Sequence, residues 1–305
     1  MLWFFIALLS PLMHAAVNHI DKHLIARYLK AGQVGSLVLF SALFAVVALP
    51  FIGWFHQETF SVSWSDALLL MFNGGLIVFA YILYFYALER DEASFVVPLF
   101  QMVPVIGFIL SFLFLGETIS PKQLLASLLI LCGSLLLSLD LEKRGMILKS
   151  SLFWLMFFSS FFYAVNGILF KFVADDRQAF WPSLFWDFAG KVAIGAMIFI
   201  AIRSYRNQFL AVLKQNKSAV LAMNGLNEIL ALIGEGASAL AVLLAPVALV
   251  QIVGTFQPAF VFLYGLLLTR FVPHFATEST SKRALYQKLA GIAVILSGSI
   301  LLIIV

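Results

Sequence analysis

Charged residues are scarce in this sequence. Only 11% of its 305 residues are Asp, Glu, Lys or Arg, whereas 63% are hydrophobic. A soluble domain is about one quarter charged, so this composition excludes a soluble enzyme, a disordered chain and a nucleic-acid-binding protein. The single cysteine, Cys132, excludes an intrachain disulfide. Domain linkers, low-complexity tracts and soluble insertions are also lacking, which indicates a membrane protein.

The sequence does contain a succession of apolar stretches separated by short polar breaks. A helix that crosses a bilayer needs about 20 apolar residues, and stretches of this length are too long for barrel strands. The sequence therefore predicts an all-α integral membrane protein with ten transmembrane helices. The predicted spans are residues 2–20, 34–55, 67–88, 94–115, 122–139, 150–172, 181–202, 218–240, 246–269 and 285–304. Residues 240–246 are predicted to form a tight turn, because Pro246 cannot donate a hydrogen bond inside a helix.

Three short segments of the first half recur in the second half. Residues 16–18 recur as 164–166, residues 87–104 align without a gap on 241–258, and residues 130–137 match 295–302 at six of eight positions. This order predicts two five-helix repeats, residues 1–145 and 146–305. Because five is odd, the second repeat must enter the membrane from the opposite side. Such inverted repeats around a central cavity are typical of secondary transporters.

The distribution of Lys and Arg agrees with an inverted repeat. Loops 1–2, 3–4, 5–6, 7–8 and 9–10 carry 15 of these residues, against three in the other loops. The positive-inside rule then places those five loops in the cytoplasm and both termini outside. Loop 2–3 has no Lys or Arg, whereas its repeat partner, loop 7–8, has four. The expected location is the inner membrane of a bacterium.

Motifs near the third and fourth spans carry a family resemblance. Residues 86–94 read Tyr-Ala-Leu-Glu-Arg-Asp-Glu-Ala-Ser, Pro104 follows, and residues 114–117 read Phe-Leu-Gly-Glu. The Ala-Val-Asn segment at 16–18 is followed by Lys22. With these motifs the sequence resembles the ten-helix, EamA-type branch of the drug/metabolite transporter superfamily. It departs from the family pattern at Thr269-Arg270, where Gly-Glu is expected, and in its acidic loop 2–3.

The resemblance has implications for both fold and activity. It implies that helices 1–4 and 6–9 surround a central cavity, with helices 5 and 10 to one side. It also implies carriage of small metabolites, amino acids or drugs by alternating access, commonly outward. Pro104 and Pro258 are expected to kink helices 4 and 9. Small residues at 133–134 and 298–299 are expected to allow close helix packing.

Ionisable residues inside the spans are the first candidates for function, because charge in hydrocarbon is costly. Asn224, Glu228 and Glu235 share one face of span 8, and Asn227 borders that face. A carboxylate removed from water can take up a proton near neutral pH. Glu228 or Glu235 is therefore a candidate for proton coupling or for contact with a cationic substrate group. The alternative for Glu235 is that it reaches the membrane interface.

Span 7 contains a second set of candidates. Asp187 and Lys191 lie four residues apart, a spacing at which the two charges can neutralise each other. The pair is expected either to be structural or to contact substrate, and Lys191 could instead pair with Glu228. Trp186 is a candidate for stacking on a ligand. Lys171, Asp175 and Asp176 are expected at the membrane edge, with Lys171 snorkelling to the interface.

Neutral polar residues and histidines complete the candidate set. Each is expected either to hydrogen-bond a ligand or to bond across helices. They are His14, Asn18, Asn73, Tyr81, Tyr84, Gln101, Tyr163, Asn166, Gln251 and Thr255. His19 and His23 have zinc-binding spacing but lack further ligands, so we expect no metal or other cofactor and place both in the headgroup region.

Three functions compete. We favour a secondary active transporter that exports amino acids, related zwitterions or cations, or drugs, driven by a proton or substrate gradient. A passive facilitator or channel is the alternative. An intramembrane enzyme is disfavoured because GxSxG and HExxH motifs are lacking, and ATP-driven transport because no Walker A motif exists. The expected partners are a small-molecule substrate and the lipid bilayer, not nucleic acid, with a homodimer through helices 5 and 10 left open.

Overall fold

The chain is all-helical wherever its structure is described. The computed structural model describes residues 2–27, 34–90, 96–138, 150–174, 180–215, 218–272 and 282–304, and within these ranges it contains no β-strand. The α-helices, numbered here in chain order, are α1 Leu2–Arg27, α2 Val34–Leu43, α3 Ala48–Phe55, α4 Trp64–Arg90, α5 Met102–Leu115, α6 Pro121–Ser138, α7 Ser150–Ala174, α8 Phe180–Ala201, α9 Arg203–Gln215, α10 Ser218–Leu244, α11 Val247–Gly254, α12 Gln257–Phe271 and α13 Lys282–Ile304. The predicted repeat boundary at 145–146, and Asp175 and Asp176, lie outside the described residues.

Eight helical stretches of the described chain are long and apolar enough to cross a membrane. They are Leu2–Leu24, Val34–Phe55, Trp64–Ala87, Ser151–Ala174, Phe180–Ala201, Leu221–Leu244, Val247–Phe271 and Leu285–Ile304. Two shorter apolar helices, Leu99–Leu115 and Pro121–Leu136, fall where spans 4 and 5 are predicted. The prediction of an all-α integral membrane protein is confirmed, whereas the count of ten spans stays a prediction.

Predicted spans 4 and 9 are interrupted rather than kinked. A short 3-10 turn, Val97–Gln101, precedes α5. In span 9, α11 ends at Gly254 and α12 begins two residues after Thr255. Pro104 and Pro258 each lie in the first turn of the helix that follows the interruption, where the missing N–H costs no intrahelical hydrogen bond. Each helix break therefore falls just before its proline.

A helix replaces part of predicted loop 7–8. Although residues 203–215 are polar, they form α9, because Tyr205, Phe209 and Val212 recur at helical spacing. Tyr205 and Val212 are buried. The Phe209 ring lies 4.7 Å from the ring of Phe40 on α2. This amphipathic helix thus covers the end of the second span.

Glycines bring α6 and α13 into close contact. An added Cβ at Gly133 would lie 2.7 Å from the carbonyl oxygen of Gly291, and one at Gly298 would lie 2.9 Å from that of Ala126. The predicted close packing of these small residues is confirmed. The two helices lie to one side, and none of their residues lines the central cavity.

Helices α4 and α8 also approach through glycines. An added Cβ at Gly74 would overlap the carbonyl oxygen of Asp187, and one at Gly190 would overlap that of Met71. Because backbone atoms face both glycines, no larger residue fits at either position unless the helices separate. This contact forms one wall of the cavity.

Candidate functional site

A cavity of about 270 Å³ lies in the centre of the bundle. Its lining comes from α1, α2, α4, α5 with its preceding turn, α7, α8, α10, α11 and α12. These elements correspond to predicted spans 1–4 and 6–9, as the family resemblance implies. The sequence-based candidates that line the cavity are His14, Asn18, Tyr81, Tyr84, Gln101, Tyr163, Asn166, Asp187, Asn227, Glu228, Glu235, Gln251 and Thr255. Their roles in binding and coupling stay predictions.

Glu228 is a buried carboxylate in the cavity wall. It is 4% exposed, and its Oε1 accepts a hydrogen bond of 3.0 Å from Ser41 Oγ on α2. Asp21, Lys191 and Glu235 are near enough for their charges to act on it. In the described structure no lysine or arginine pairs directly with this carboxylate, so it is available to a proton or a cationic ligand.

Lys191 pairs with Glu235 instead of with either predicted partner. Its Nζ lies 2.8 Å from Glu235 Oε1 and 3.0 Å from Oε2. The Tyr81 hydroxyl donates to the same carboxylate, and Lys191 Nζ lies 5.1 Å from the centre of the Tyr81 ring. The predicted pairings with Asp187 and with Glu228 are therefore wrong. Lys191 reaches across to α10 rather than along its own helix to Asp187, and on α10 it meets Glu235 instead of Glu228.

Glu235 lies in the middle of a helix and not at the membrane interface. The turn predicted at 240–246 is confined to Ala245 and Pro246, and α10 continues to Leu244. Both carboxylate oxygens of Glu235 bond inside the protein, and its side chain is 17% exposed. The interfacial alternative for this residue is wrong.

Two asparagines each donate to a carboxylate that lines the cavity. Asn73 Nδ2 lies 2.7 Å from Asp187 Oδ1, and Asn227 Nδ2 lies 2.7 Å from Asp21 Oδ1. Asp21 is absent from the sequence-based candidates, although it lines the cavity. It continues the helical stripe of the span 1 candidates, and that stripe is the signal that identifies it. It escapes the sequence reading because residues 19–23 are assigned there to the headgroup region.

An aromatic cluster forms another part of the wall. Ring centres lie 5.9 Å apart for Tyr81 and Tyr163, 5.4 Å apart for Tyr163 and Phe100, and 5.0 Å apart for Phe100 and Tyr84. All four rings line the cavity. Phe100 is missed by the sequence reading, since one phenylalanine among 32 carries no distinguishing signal. We call these four residues the aromatic cluster.

Gln251 reaches across the bundle from α11. Its Nε2 donates a 3.3 Å hydrogen bond to the carbonyl oxygen of Ala164 on α7. The side chain lies over Gly107 and Gly167, and a Cβ at Gly107 would overlap its Oε1. That Oε1 atom has no hydrogen-bond partner, and neither has Gln101 Oε1. Both glutamines line the cavity and carry an unpaired amide oxygen.

Four of the sequence-based candidates do not line the cavity: Lys191, Asn73, Trp186 and Asn224. The indole Nε1 of Trp186 donates to the carbonyl oxygen of Thr59 at 3.0 Å, and its ring packs 5.4 Å from that of Phe185. The stacking of Trp186 on a ligand stays a prediction. Asn224 is buried and interacts within the protein.

Two of the span 1 histidines bond to backbone carbonyl groups within the protein. His14 Nδ1 is 2.8 Å from the carbonyl oxygen of Ser10, so Nδ1 carries a proton and Nε2 of the neutral ring is an acceptor. His19 and His23 are buried, and His19 Nε2 lies 2.9 Å from the carbonyl oxygen of Val261. Their assignment to the headgroup region stays a prediction. Among the described residues, no cluster of three or more His, Cys, Asp or Glu is suited to a metal ion.

An ion pair joins three helix ends at one side of the bundle. Lys171 Nζ lies 2.8 Å from Glu117 Oε1 and 2.9 Å from the carbonyl oxygen of Ala245, while Val247 N–H donates to Glu117 Oε2 at 2.8 Å. Gly116 ends α5 with φ +63, which glycine adopts without strain. The snorkelling predicted for Lys171 is wrong, because its side chain is only 13% exposed. We call these contacts the Glu117–Lys171 clamp.

The fold and the cavity define a multi-pass integral membrane protein with an internal, polar, ligand-sized chamber. Residues 1–139 match the model of the EamA-like transporter family. This match confirms the resemblance drawn from the motifs.

Two relatives and a solved structure are similar to this chain. The chain is 33% identical over 129 residues to the uncharacterized transporter YoaV of Bacillus subtilis, covering 42% of this chain and 40% of YoaV. It is 44% identical over 65 residues to the uncharacterized protein MJ1333.1 of Methanocaldococcus jannaschii, covering 21% of this chain and 47% of that protein. It thus spans less than half of either relative. The crystal structure of another protein has the same fold. The match covers 98% of this chain and 94% of that protein's chain, with a TM-score of 0.63 and 16% sequence identity.

Proposed function

We propose that the protein is a secondary active transporter that moves small metabolites by alternating access. The observation that carries this proposal is the central cavity, which holds the buried carboxylate of Glu228 between elements of both halves of the chain. The proposed direction is export across a bacterial inner membrane, with coupling to the proton gradient. Passive facilitation is the second candidate.

We propose further that residues 1–145 and 146–305 are inverted five-helix repeats that form ten spans. The packing supports this: α1 packs on α10 and on α11–α12, and the helices equivalent to these pack likewise, α7 on α4 and on α5. Asn73 and Asn227 also fall at the offset of 154 residues found in the sequence. Each donates to a carboxylate that lines the cavity.

Two helix contacts that are equivalent in the proposed repeats differ in how closely the helices pack. Helices α4 and α8 pack closely through Gly74 and Gly190, whereas their equivalents, α10 and α2, touch at few points. Alternating access exchanges the conformations of two such halves, so this inequality supports it. The hydrogen bond from Ser41 to Glu228 spans the sparser contact. Protonation of Glu228 would therefore act where the two halves are proposed to move apart.

Transport by reconstituted protein tests the proposal. The purified full chain is placed in proteoliposomes, and uptake of a labelled metabolite panel is followed under an imposed pH gradient and in counterflow. We expect counterflow and accumulation above the equilibrium level for at least one compound. A facilitator would only equilibrate its solute and would show no counterflow. Turnover of a lipid without vectorial uptake would favour an enzyme instead.

The Glu117–Lys171 clamp is proposed to hold one end of the cavity closed. In a Cys132→Ser background, Ser238→Cys places a thiol in the cavity lining for labelling by a membrane-impermeant maleimide. Lys171→Met leaves the largely buried Glu117 unpaired, and we expect labelling to become about tenfold faster, equivalent to ~1.4 kcal/mol lost from the closed state. The control is Lys122→Met, since Lys122 is exposed. Equal labelling rates in the two variants would show that the clamp does not hold this end of the cavity closed.

A further inference from the structure

The cavity lining contains more acidic than basic side chains. It contains the carboxylates of Asp21, Asp187, Glu228 and Glu235, and neither lysine nor arginine occurs among the lining residues that the structure describes. The buried cation behind the lining, Lys191, is held by both oxygens of Glu235. A ligand carboxylate would therefore find no free cationic side chain among the described residues of the lining, whereas a ligand cation would find several carboxylates.

The helix N-termini beside the cavity do not replace the missing cationic side chains as binding groups for a carboxylate. Helix N-termini bind carboxylates through their free N–H groups. At the start of α5, the N–H of Met102 already bonds to the carbonyl oxygens of Leu99 and Phe100. Before α12, the N–H groups of Thr255 and Phe256 are likewise bonded within the preceding turn. An amino-acid carboxylate would find these donors occupied.

The unpaired polar atoms of the lining are hydrogen-bond acceptors. Asn227 Oδ1, Gln101 Oε1 and Gln251 Oε1 are buried without a partner. For Asn227 and Gln251 the orientation of the amide is set by its nitrogen, which donates to Asp21 Oδ1 and to Ala164 O, respectively. An ammonium group has three donors and no acceptor, so it matches such a surface.

The aromatic cluster favours the same ligand. Tyr84 and Tyr163 lie close enough to Asp21 to interact with its charge, and Tyr81 is likewise close to Glu228. Aromatic faces attract cations and also cover the apolar part of a ligand. The volume of about 270 Å³ equals that of roughly nine water molecules, which suits a ligand of about ten non-hydrogen atoms.

We infer that this cavity selects small organic amines, which carry an ammonium group and no carboxylate, over the corresponding amino acids. The ammonium group is held by Glu228 and Asp21 with Asn227 Oδ1, and the body of the ligand lies against the aromatic cluster. The inference rests on the proposed function and narrows its substrate class from zwitterions and cations to cations. It also explains coupling: a proton and the amine compete for the same carboxylates, as antiport requires.

Matched ligands test this inference without any membrane gradient. Tyramine is compared with tyrosine, and agmatine with arginine, because each pair differs only by the carboxylate. Binding to the purified full chain in nanodiscs is measured by titration calorimetry, with 4-ethylphenol as the analogue of tyramine that lacks the ammonium group. We expect each amine to bind at least tenfold more tightly than its amino acid, and 4-ethylphenol to bind weakly. Equal or tighter binding of the amino acids would overturn the inference.

A variant pair locates the ammonium group. Asp21→Asn retains the size of the side chain and removes its charge, and we expect tyramine affinity to fall about tenfold while 4-ethylphenol binding is unchanged. Glu58→Gln is the control, because Glu58 is exposed and lies outside the cavity. Unchanged tyramine affinity in a folded Asp21→Asn protein would contradict the assignment. If Asp21→Asn does not fold, the comparison of each amine with its amino acid on the wild-type protein still tests the inference.

The binding result is independent of the transport result. Amine binding without gradient-driven movement would sustain the inference about the ligand and remove the proposed transport cycle. Gradient-driven accumulation of amino acids without amine binding would sustain the proposed transport cycle and overturn the inference about the ligand.

Discussion

We expect Glu228→Gln to abolish uptake driven by a pH gradient, with at least a tenfold loss of initial rate, while the protein remains folded. The expected loss follows from the position of this carboxylate, which is buried in the cavity and is not neutralised by a lysine or arginine in the described structure. Glutamine retains the size of the side chain and can still accept the hydrogen bond from Ser41. It cannot exchange a proton. The measurement is uptake into proteoliposomes with and without an imposed gradient.

Other charged and titratable groups face Glu228 and must be considered in reading this result. The charges of Asp21 on α1, of Lys191 on α8 and of Glu235, which shares α10 with Glu228, act on the Glu228 carboxylate. Tyr81 on α4 also lies near this carboxylate. Glu228→Asp is the rescue variant, because it keeps an exchangeable carboxyl group, and we expect partial recovery of gradient-driven uptake. Undiminished uptake by a folded Glu228→Gln protein would move coupling to another carboxylate.

Glu58→Gln is the matched control for the coupling experiment. Glu58 lies between two spans in an exposed turn, where hydrogen bonds from its own backbone N–H and from the His56 ring lower the pKa of its carboxyl group. It therefore stays ionised throughout a neutral pH range and has no proton to exchange there. We expect its replacement to leave gradient-driven uptake unchanged.

Gly190→Ala is the substitution with the largest expected effect on stability. The added methyl group overlaps the carbonyl oxygen of Met71, and a backbone atom of a packed helix cannot move aside as a flexible side chain can. Helices α4 and α8 must separate, which also disrupts the Asn73–Asp187 hydrogen bond. We expect a loss of about 3 kcal/mol or more, at the upper end of overpacking effects. The measurement is the fraction of monodisperse protein that survives heating in detergent.

Gly225→Ala is the control for that substitution. Gly225 lies in α10, and the nearest atom to an added Cβ there is a ring carbon of Phe44 at 4.0 Å. Alanine favours a helix over glycine by about 1 kcal/mol, so this variant should be as stable as the wild type or more so. Equal losses in both variants would mean that close contact between α4 and α8 does not matter.

The two experiments address different requirements of the same cavity. Close packing of α4 on α8 fixes one wall, whereas Glu228 lies where the equivalent wall is sparsely packed. A transporter needs both a rigid contact and a contact that can open. The buried ion pair of Lys191 and Glu235 links the two regions, since it joins α8 to α10.

Hydropathy alone determined that this protein is a multi-pass helical membrane protein, because the free energy of membrane insertion is a local property of each stretch of about 20 residues. Helical spacing alone was also enough to find Glu228, Tyr81 and most of the other polar residues that line the cavity, although it missed Asp21. A polar group inside the bilayer must face the interior of the bundle.

Only the tertiary structure decided which of these residues are partners. Lys191 is four residues from Asp187, yet it pairs with Glu235, 44 positions away. Lys171 reads as an interfacial residue and yet joins Glu117. Such choices depend on how neighbouring helices are rotated and shifted against one another, and the pattern within a single helix does not contain that information.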